Sequence, residues 1–327
     1  MKILVTGAGA VLGQAIIKSL KSSHIDLTIV AVDPSPLAVG LYWADKHYLV
    51  PMAVEPRYMD EVYKILQIEK PDVLFIGTDV ELLIYAQYKK EIERTFGTKV
   101  IVSDTSVIEI ADDKWLTYNF LKNNGLDYPE SCLPGGEIEL VKKVGFPLIV
   151  KPRVGARAVS VKKVNTIKAL EAAIKDVKNP IIQECVGTDD SEYTAGVLVF
   201  NDMAKSSIIM RRDLRDGNTF RAYAEPYSPL NKYVEKVAEK LKPYGPVNLQ
   251  FRISGRKVKI FEINSRFSGT THFRTLSNVN EVEMCLNHIF YHKDITQVMI
   301  NPLTVLRYYD EIIIPNNHYM TRVKGVS

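Results

Sequence analysis

The chain has 327 residues, of which 46% are hydrophobic and 24% are charged, and its formal net charge is +4. This length is sufficient for two or three subdomains, and the composition is typical of a soluble globular protein. So mild a charge does not indicate nucleic-acid binding, and no run approaches the roughly 18 apolar residues of a membrane span. The N-terminus has neither the apolar length nor the cleavage site of a signal peptide. We therefore expect a cytoplasmic protein that binds neither nucleic acid nor membrane.

The first third of the chain alternates strand and helix patterns. Apolar runs predict strands over 2–6, 27–32, 73–76 and 99–102, and helical periodicity predicts helices over 10–20, 58–69 and 80–94. Strands that alternate with helices of this length predict a parallel, doubly wound sheet.

After residue 110 the pattern changes to α+β. Helices are predicted over 114–124, 166–177 and 231–241, and strands over 147–151, 180–184, 193–200, 204–211, 247–253 and 257–263. Several strands alternate polar and apolar residues, which is typical of antiparallel sheets. We predict a Rossmann-like domain over 1–110, a small lobe over 111–186 and a large lobe over 187–327.

A glycine-rich turn joins the first predicted strand to the first helix. Gly7, Gly9 and Gly13 have this context, and Asp33 closes the second strand about twenty residues later. Such a turn resembles a dinucleotide-binding fingerprint, in which a pyrophosphate lies on a helix N-terminus. One hypothesis is therefore a nicotinamide-dependent reductase. The alternative is a turn whose glycines serve only close packing.

The three cysteines predict neither a disulfide framework nor a zinc site. Cys132, Cys185 and Cys285 are widely spaced and form no C-x-x-C pair. We expect ordinary thiols.

The segment with the strongest chemical signal lies between residues 247 and 266. Glu262 and Asn264 are two apart on a predicted strand, so their side chains share one face. The preceding strand pairs with this one through a short turn, which brings Gln250 near Glu262. Carboxylate and amide oxygens are suitable Mg²⁺ ligands, and Arg266 supplies a fixed positive charge for a transferring phosphoryl group.

Two other segments add cations and a loop. Lys151 ends an apolar strand and is followed by a small, basic loop that could cover phosphates. Lys114 opens the second region. A third strand, over 180–184, leads into a loop whose backbone could hydrogen-bond an adenine edge.

The order of these motifs resembles the ATP-grasp superfamily, and within it the synthetase domains of carbamoyl phosphate synthetase and the small carboxylate–amine ligases. The resemblance covers nearly the whole chain. Two departures are Gln250, where many members have an acid, and a lid with few glycines and an inserted Arg157. The motifs that carry the resemblance are Asp113-Lys114, Val150-Lys151-Pro152, Gln183-Glu184, Asn248-x-Gln250 and Glu262-x-Asn264-x-Arg266.

The resemblance implies a set of site residues. Arg266 and Lys151 are implied as catalytic, and Glu192 as the ligand of the ribose. Mg²⁺, with Mn²⁺ as an alternative, is implied as the metal. The implied ATP-binding residues are Lys114, Lys151, Glu192, the lid from Gly155 to Ser160, and Glu184, Cys185 and Val186 at the adenine; the implied metal ligands are Gln250, Glu262 and Asn264.

The substrate acid needs its own recognition residues. Arginines after residue 210 and the segment that follows Arg266 are expected to border the cleft, and arginine suits a carboxylate. The candidates are Arg211, Arg212, Arg215, Arg221, His272 and Arg274.

The resemblance implies an ATP-dependent ligase that activates a carboxylate as an acyl phosphate and joins it to an amine. The alternatives are an enzyme that uses bicarbonate as the acid, the reductase, and a nucleotide-sensing module without turnover. The expected partners are a small acid and a small amine, and the resemblance allows a homodimer.

Overall fold

The computed structural model describes residues 1–155 and 159–315. Its strands form three sheets, of five, four and six strands. None of the helices within these two ranges combines the length and the hydropathy that a membrane span requires.

The N-terminal sheet is parallel, with strand order β3-β2-β1-β4-β5. The three central strands β2, β1 and β4 are buried on both faces, as a parallel sheet covered by helices requires, whereas the edge strand β3 is only partly buried. The strands are β1 (Lys2–Val5), β2 (Thr28–Asp33), β3 (Lys46–Leu49), β4 (Val73–Phe75) and β5 (Lys99–Ile101). The helices are α1 (Val11–Lys21), α2 (Val39–Trp43), α3 (Tyr58–Glu69) and α4 (Leu82–Phe96), and a short 3-10 turn, Asp79–Glu81, precedes α4.

Two helices, α5 (Thr105–Asp112) and α6 (Lys114–Asn123), lead to the small lobe. The side chain of Asp113 caps the N-terminus of α6 by accepting from the Trp115 and Leu116 N–H groups. The small lobe is an antiparallel sheet of order β6-β9-β7-β8, with two helices. Its elements are β6 (Ser131–Cys132), α7 (Glu137–Val144), β7 (Leu148–Pro152), β8 (Lys162–Val164), α8 (Ile167–Asp176) and β9 (Pro180–Glu184).

The large lobe is an antiparallel sheet of order β14-β13-β10-β11-β12-β15. Gln250 lies opposite Glu262, and Asn248 opposite Asn264, in the pairing of β13 with β14. The elements are β10 (Glu192–Phe200), β11 (Met203–Arg215), β12 (Asn218–Ala224), α9 (Ser228–Leu241), β13 (Gly245–Ser254), β14 (Lys257–Asn264), α10 (Thr271–Leu276), α11 (Glu281–Tyr291) and β15 (Leu303–Leu306).

The N-terminal domain and the large lobe share a hydrophobic core. Leu198 and Phe200 of β10 and Phe267 pack in the same cluster as strands β1 and β2 and helix α1. The ring of Phe267 meets that of Phe75 edge to face, with 5.6 Å between centroids. The two parts therefore meet through buried apolar side chains, which fixes the cleft between them.

The predicted fold class is confirmed: a parallel α/β domain precedes a domain built on antiparallel sheets. Elements without a clear periodic signal in the sequence include α2, α5, α7 and β15. Helices α5 and α6 pack against β14 and thus lie on the large-lobe sheet. The division into 1–110, 111–186 and 187–327 remains a proposal.

Candidate active site

Two adjoining cavities lie in the cleft between these parts. The first, of about 260 Å³, is lined by β7 and β9 of the small lobe and by strands of the large lobe. The second, of about 550 Å³, is bounded by the start of α1, the segment after β4 and the large-lobe sheet. Because both share part of their lining, they form one continuous cleft. The shared residues are Lys114, Gly155, Arg212, Gly217, Gln250 and Glu262.

The three predicted metal ligands lie together on one wall. Glu262 Oε1 accepts hydrogen bonds from Gln250 Nε2 at 2.8 Å and from Asn264 Nδ2 at 3.1 Å. No group of three or more His, Cys, Asp or Glu side chains suited to a metal occurs within residues 1–155 and 159–315. The set contains one carboxylate and two amides, residue types that suit a hard cation such as Mg²⁺ with further ligands from nucleotide phosphates and water. The two amide oxygens accept from Arg212 and Arg266 in this structure, so both amides would have to rotate to bind a cation.

Arg266 is held in place by a carboxylate of the N-terminal domain. Its Nε and Nη2 atoms donate to the two oxygens of Asp79 at 2.6 and 3.0 Å, and Nη2 also donates to Asn264 Oδ1 at 3.0 Å. Asp79 begins the short 3-10 turn after β4. The guanidinium is therefore fixed beside the predicted metal ligands from both sides of the cleft.

Two buried lysines line the cleft near this wall. Lys151 Nζ donates to Gln183 Oε1 at 2.8 Å, and Lys114 Nζ donates to the Gly155 carbonyl at 2.8 Å. Burial, followed by the neighbouring Lys114 ammonium, lowers the pKa of Lys151 from 10.5 to about 7. In the described part of the chain neither lysine forms an ion pair with a carboxylate, so both can serve an anionic ligand.

Glu192 is buried between two arginines. Its Oε1 accepts from Arg212 Nη2 at 2.8 Å, and its Oε2 accepts from Arg252 Nη2 at 2.7 Å. Arg212 Nη2 also donates to Gln250 Oε1 at 2.5 Å. The hydrogen bonds therefore continue without a gap from the predicted metal wall to the predicted ribose ligand.

The predicted adenine segment leaves β9 and lines the first cavity. Its three residues are Glu184, Cys185 and Val186. The Glu184 N–H donates to the Glu130 carbonyl at 2.8 Å, and its carboxylate pairs with Lys259 at 2.5 Å. The Val186 carbonyl accepts from Arg252 Nη1 at 3.2 Å. Adenine recognition here would therefore use backbone groups other than these.

The predicted lid falls partly outside the described residues. Positions 156–158, which include Arg157, are not described. Gly155 borders both cavities, whereas Ser160 lines neither. The assignment of Gly155 to Ser160 as a phosphate lid remains a prediction.

Of the arginines proposed to bind the acid, the cleft contains Arg212 alone among the described candidates. Arg211 lies on the opposite face of β11, where Nη1 pairs with Asp213 at 3.0 Å and the guanidinium covers Tyr223. Arg215 and Arg221 are exposed near the β11–β12 turn. Because side chains alternate along a strand, a run of arginines is divided between two faces, and the prediction is corrected to Arg212.

Arg274 and His272 are also corrected. Arg274 is 1% exposed; its Nη1 pairs with Glu281 at 3.1 Å and its Nη2 donates to Asn248 Oδ1. Its charge is thus compensated inside the core. His272 is partly buried on α10, lines neither cavity, and burial lowers its imidazole pKa. Neither residue faces the described cleft.

The glycine turn is closed by the protein itself. The Gly9 N–H donates to Asp33 Oδ2 at 2.7 Å, and the Ser35 N–H donates to Asp33 Oδ1 at 2.9 Å. A Cβ built on Gly9 would lie 2.8 Å from Ala38 Cβ, and one on Gly13 would lie 2.2 Å from the Gly7 carbonyl oxygen. The N–H groups of Ala8 and Ala10 donate to the carbonyls of Val32 and Gly7, so three successive donors of the turn, with Gly9, are bonded within the protein, and the glycines serve close packing.

Two residues of the cleft were missed by the sequence analysis. Asp79 follows the carboxyl end of a parallel strand, a position that favours ligand contact, and could have been noticed for that reason. Arg307 lies just after β15 and borders the second cavity. Nothing local to residue 307 predicts this, since β15 reaches the cleft only by pairing with β12.

A parallel α/β domain followed by two antiparallel lobes, with a cleft lined by acidic, amide and cationic side chains, is the architecture of an ATP-grasp protein. Residues 111–270 match the model of the ATP-grasp domain, and residues 3–101 match that of the PylC-like N-terminal domain. The chain therefore belongs to the ATP-grasp superfamily and combines this domain with an N-terminal domain of the PylC-like type.

Relatives and solved structures agree with this class. The chain is 24% identical over 306 residues to the carbamoyl phosphate synthase large chain of Methanosarcina mazei, covering 83% of this chain and 28% of the relative. It thus spans about a quarter of the length of such relatives. The fold resembles N5-carboxyaminoimidazole synthetase from Staphylococcus aureus complexed with ADP, with a TM-score of 0.75 and 15% identity over 94% of this chain and 82% of that chain. It also resembles an L-amino acid ligase from Bacillus licheniformis, with a TM-score of 0.67 and 16% identity over 88% of this chain and 73% of that one.

Proposed function

We propose that the protein is an ATP-dependent carboxylate–amine ligase that works through an acyl phosphate. The observation that carries the proposal is the arrangement of the cleft. One wall holds Glu262, Gln250 and Asn264 with the fixed guanidinium of Arg266, and two lysines without ion-pair partners among the described residues border the same space. This is the set of groups that a transferring phosphoryl group requires.

In this proposal the nucleotide occupies the first cavity. Lys151 and Lys114 hold its phosphates, Glu192 binds the ribose, and the loop from Glu184 to Val186 binds the adenine. Mg²⁺ would be held by Glu262, Gln250 and Asn264. When bound, it neutralises phosphate charge and polarises the transferred group.

The second cavity would hold the acid and the amine. A carboxylate beside Arg266 lies where its developing acyl phosphate is stabilised by a fixed positive charge. The enclosing walls keep water from that intermediate until the amine attacks. No side-chain nucleophile is needed for this reaction.

The carbamoyl-phosphate-forming alternative is less well supported, because bicarbonate and ammonia are far smaller than a cavity of about 550 Å³, which is in the size range of pockets for larger ligands. A carboxylating enzyme that joins bicarbonate to a larger acceptor fits this cavity and stays an alternative. The nicotinamide alternative is withdrawn, because the N–H groups of Ala8, Gly9 and Ala10 in the glycine turn are already bonded to Val32, Asp33 and Gly7. The homodimer remains a prediction that light scattering can test.

A thermal-shift experiment tests the nucleotide site. Mg²⁺·ADP at about 100-fold over its Kd should add about 2.7 kcal/mol of stability, and NADH and NADPH at equal concentration should add none. The shift should be lost in Glu262→Ala and kept in Glu171→Ala, which removes an exposed glutamate of α8. A shift with the nicotinamides alone would overturn the proposal.

The reaction class is tested by ADP release. Acids and amines are supplied singly and in pairs, and a ligase should release ADP only when an acid is present and form an amide only with both. Turnover stimulated by bicarbonate alone would instead favour the carboxylating or carbamoyl-phosphate-forming alternative.

A further inference from the structure

Arg307 is a cation that borders the second cavity and has no acidic partner among the described side chains. Its Nε donates to the Thr219 carbonyl at 3.0 Å, and its Nη2 donates to the Gly269 carbonyl at 2.8 Å. Its guanidinium also lies 4.8 Å from the centroid of the Phe273 ring. These contacts hold the side chain in place but leave its charge uncompensated.

No described carboxylate forms an ion pair with Arg307, although the side chain is only partly exposed. Among the side chains that the structure does not describe, those of 156–158, 189 and 316–327, Asp189 is the one Asp or Glu. Other arginines of the cleft differ in this respect: Arg212 pairs with Glu192, and Arg266 with Asp79. A partly desolvated, unpaired guanidinium is costly unless an anion binds it.

The Nη1 group of Arg307 is the donor left for such an anion. The hydrogen bonds of this side chain within the described residues use Nε and Nη2 only. Because Arg307 borders the second cavity, a ligand there can accept from Nη1. Ser268, Thr219 and Thr270 border the same cavity. The hydroxyls of Ser268 and Thr270 share one hydrogen bond at 2.7 Å, so one of their two protons remains for a ligand.

Arg307 and Arg266 have different hydrogen-bond partners. Arg266 donates to Asp79 and to Asn264, one of the predicted metal ligands. Arg307 donates to the carbonyls of Gly269 and of Thr219 on β12. The two guanidiniums are held by different partners along the same cavity, so each can bind its own anionic group.

We propose that Arg307 binds an oxyanion group, carboxylate or phosphate, that one substrate carries in addition to the carboxylate that becomes phosphorylated. This inference rests on the proposed function for the identity of the reaction. It adds that the enzyme acts on a substrate that retains a negative charge in the product, such as a dicarboxylic acid, an amino acid or a phosphorylated amine.

The binding test uses malonate, its neutral analogue malonamide, and methylphosphonate, each without nucleotide and at matched ionic strength. Malonate or methylphosphonate should raise the melting temperature of the wild-type protein, and malonamide should not. The effect should be lost in Arg307→Met and kept in Arg221→Met, which removes an exposed arginine outside the cleft. The anion that raises the melting temperature more, malonate or methylphosphonate, identifies the bound group as a carboxylate or a phosphate.

Arg307→Lys keeps the test decisive if Arg307→Met does not fold. Lysine retains the charge but concentrates its donors on one nitrogen, which cannot span the positions that the planar guanidinium reaches, so the apparent anion Kd should rise about 10-fold or more. An equal anion effect in the wild type and the Arg307 variants, or none in the wild type, overturns the proposal. The anion-binding test contains no nucleotide, so its failure can be distinguished from failure of the Mg²⁺·ADP test of the proposed function.

The kinetic test compares substrates in pairs that differ only in charge. Amines that carry a free carboxylate are compared with their carboxamides, and dicarboxylic acids with their half-amides. The charged member should have a kcat/KM about 10- to 100-fold higher, the loss expected when a hydrogen bond to a charged group is removed, and Arg307→Met should abolish the difference. Equal turnover of both members by the wild type would overturn the assignment.

Discussion

At the residue scale, Lys151 couples nucleotide binding to pH. Its ammonium is desolvated and lies near Lys114, so its pKa is about 7 in the free protein. Bound phosphates would favour the charged form and raise this pKa. Below pH 7 the lysine is already charged, whereas above pH 7 it must take up a proton when nucleotide binds.

We therefore expect the affinity for Mg²⁺·ADP to decrease as pH rises above about 7, with uptake of one proton or less per nucleotide. Calorimetric titration at pH 8 in buffers of different ionisation enthalpy measures the uptake. The uptake should disappear in Lys151→Met and persist in Lys163→Met, an exposed lysine of β8. A proton release in place of uptake would contradict the low pKa.

Lys151 also affects stability in a direction that follows from the same pKa. The unfolded chain binds a proton at this lysine up to its ordinary pKa of 10.5, and the folded chain only up to about 7. Between these values the unfolded state holds more protons, so the contribution of Lys151 to the free energy of unfolding increases with pH. The cost of burying its charge is largest below pH 7.

Arg274 and Glu281 form a buried ion pair, with side chains 1% and 2% exposed. Removing one partner leaves an uncompensated charge in the core. We expect Glu281→Gln to lower the free energy of unfolding by about 3–5 kcal/mol in urea titration. Glu171→Gln, on an exposed face, should change it by about 0.5 kcal/mol or less.

The variant Arg274→Met tests the structural role assigned to Arg274. A loss of acid binding without a loss of stability would return that residue to the substrate site. A loss of stability would agree with its ion pair and with its hydrogen bond to Asn248.

At the element scale, the turn between β1 and α1 has a structural role. Asp33 satisfies the N–H groups of Gly9 and Ser35 and is itself buried. We expect Asp33→Ala to destabilise the protein by about 1–3 kcal/mol, the cost of leaving buried donors unpaired. The Kd for Mg²⁺·ADP should not change, and Asp26→Ala, at an exposed site, should have little effect on either measurement.

The hairpin of β13 and β14 is the element whose strand pairing the sequence predicted best. The period of two placed Glu262 and Asn264 on one face, and the short turn at Gly255 placed Gln250 opposite Glu262, as the structure confirms. Along β11 the same alternation of side chains places Arg211 and Arg212 on opposite faces of the sheet. Which of the two arginines meets the cleft depends on how the sheet packs.

At the scale of the whole molecule, the N-terminal domain and the large lobe depend on each other. They share one hydrophobic core, and Asp79 of the first fixes Arg266 of the second. Two packed regions with a common core are expected to unfold cooperatively. The chain contains two tryptophans, and Trp43 lies in α2 while Trp115 lies in α6.

Single-tryptophan variants can test this cooperativity. Trp115→Phe leaves Trp43 to report on the N-terminal domain, and Trp43→Phe leaves Trp115 to report on α6 and the large lobe that it packs against. In each variant, the urea midpoint measured by tryptophan fluorescence should equal the midpoint measured by circular dichroism. Separate midpoints within one variant would mean that the domains unfold independently.

The sequence by itself determined the fold class and singled out most of the residues proposed to hold the metal and the phosphates. Periodicity and short-range spacing are local properties, and the order of motifs carried the resemblance to ATP-grasp proteins. Only the tertiary structure decided which arginines reach the cleft, that Asp33 fills the glycine turn, and that Asp79 and Arg307 join the site. Asp79 and Arg307 are distant in sequence from the residues they accompany, and their positions depend on strand pairing and on packing between domains, which no local pattern encodes.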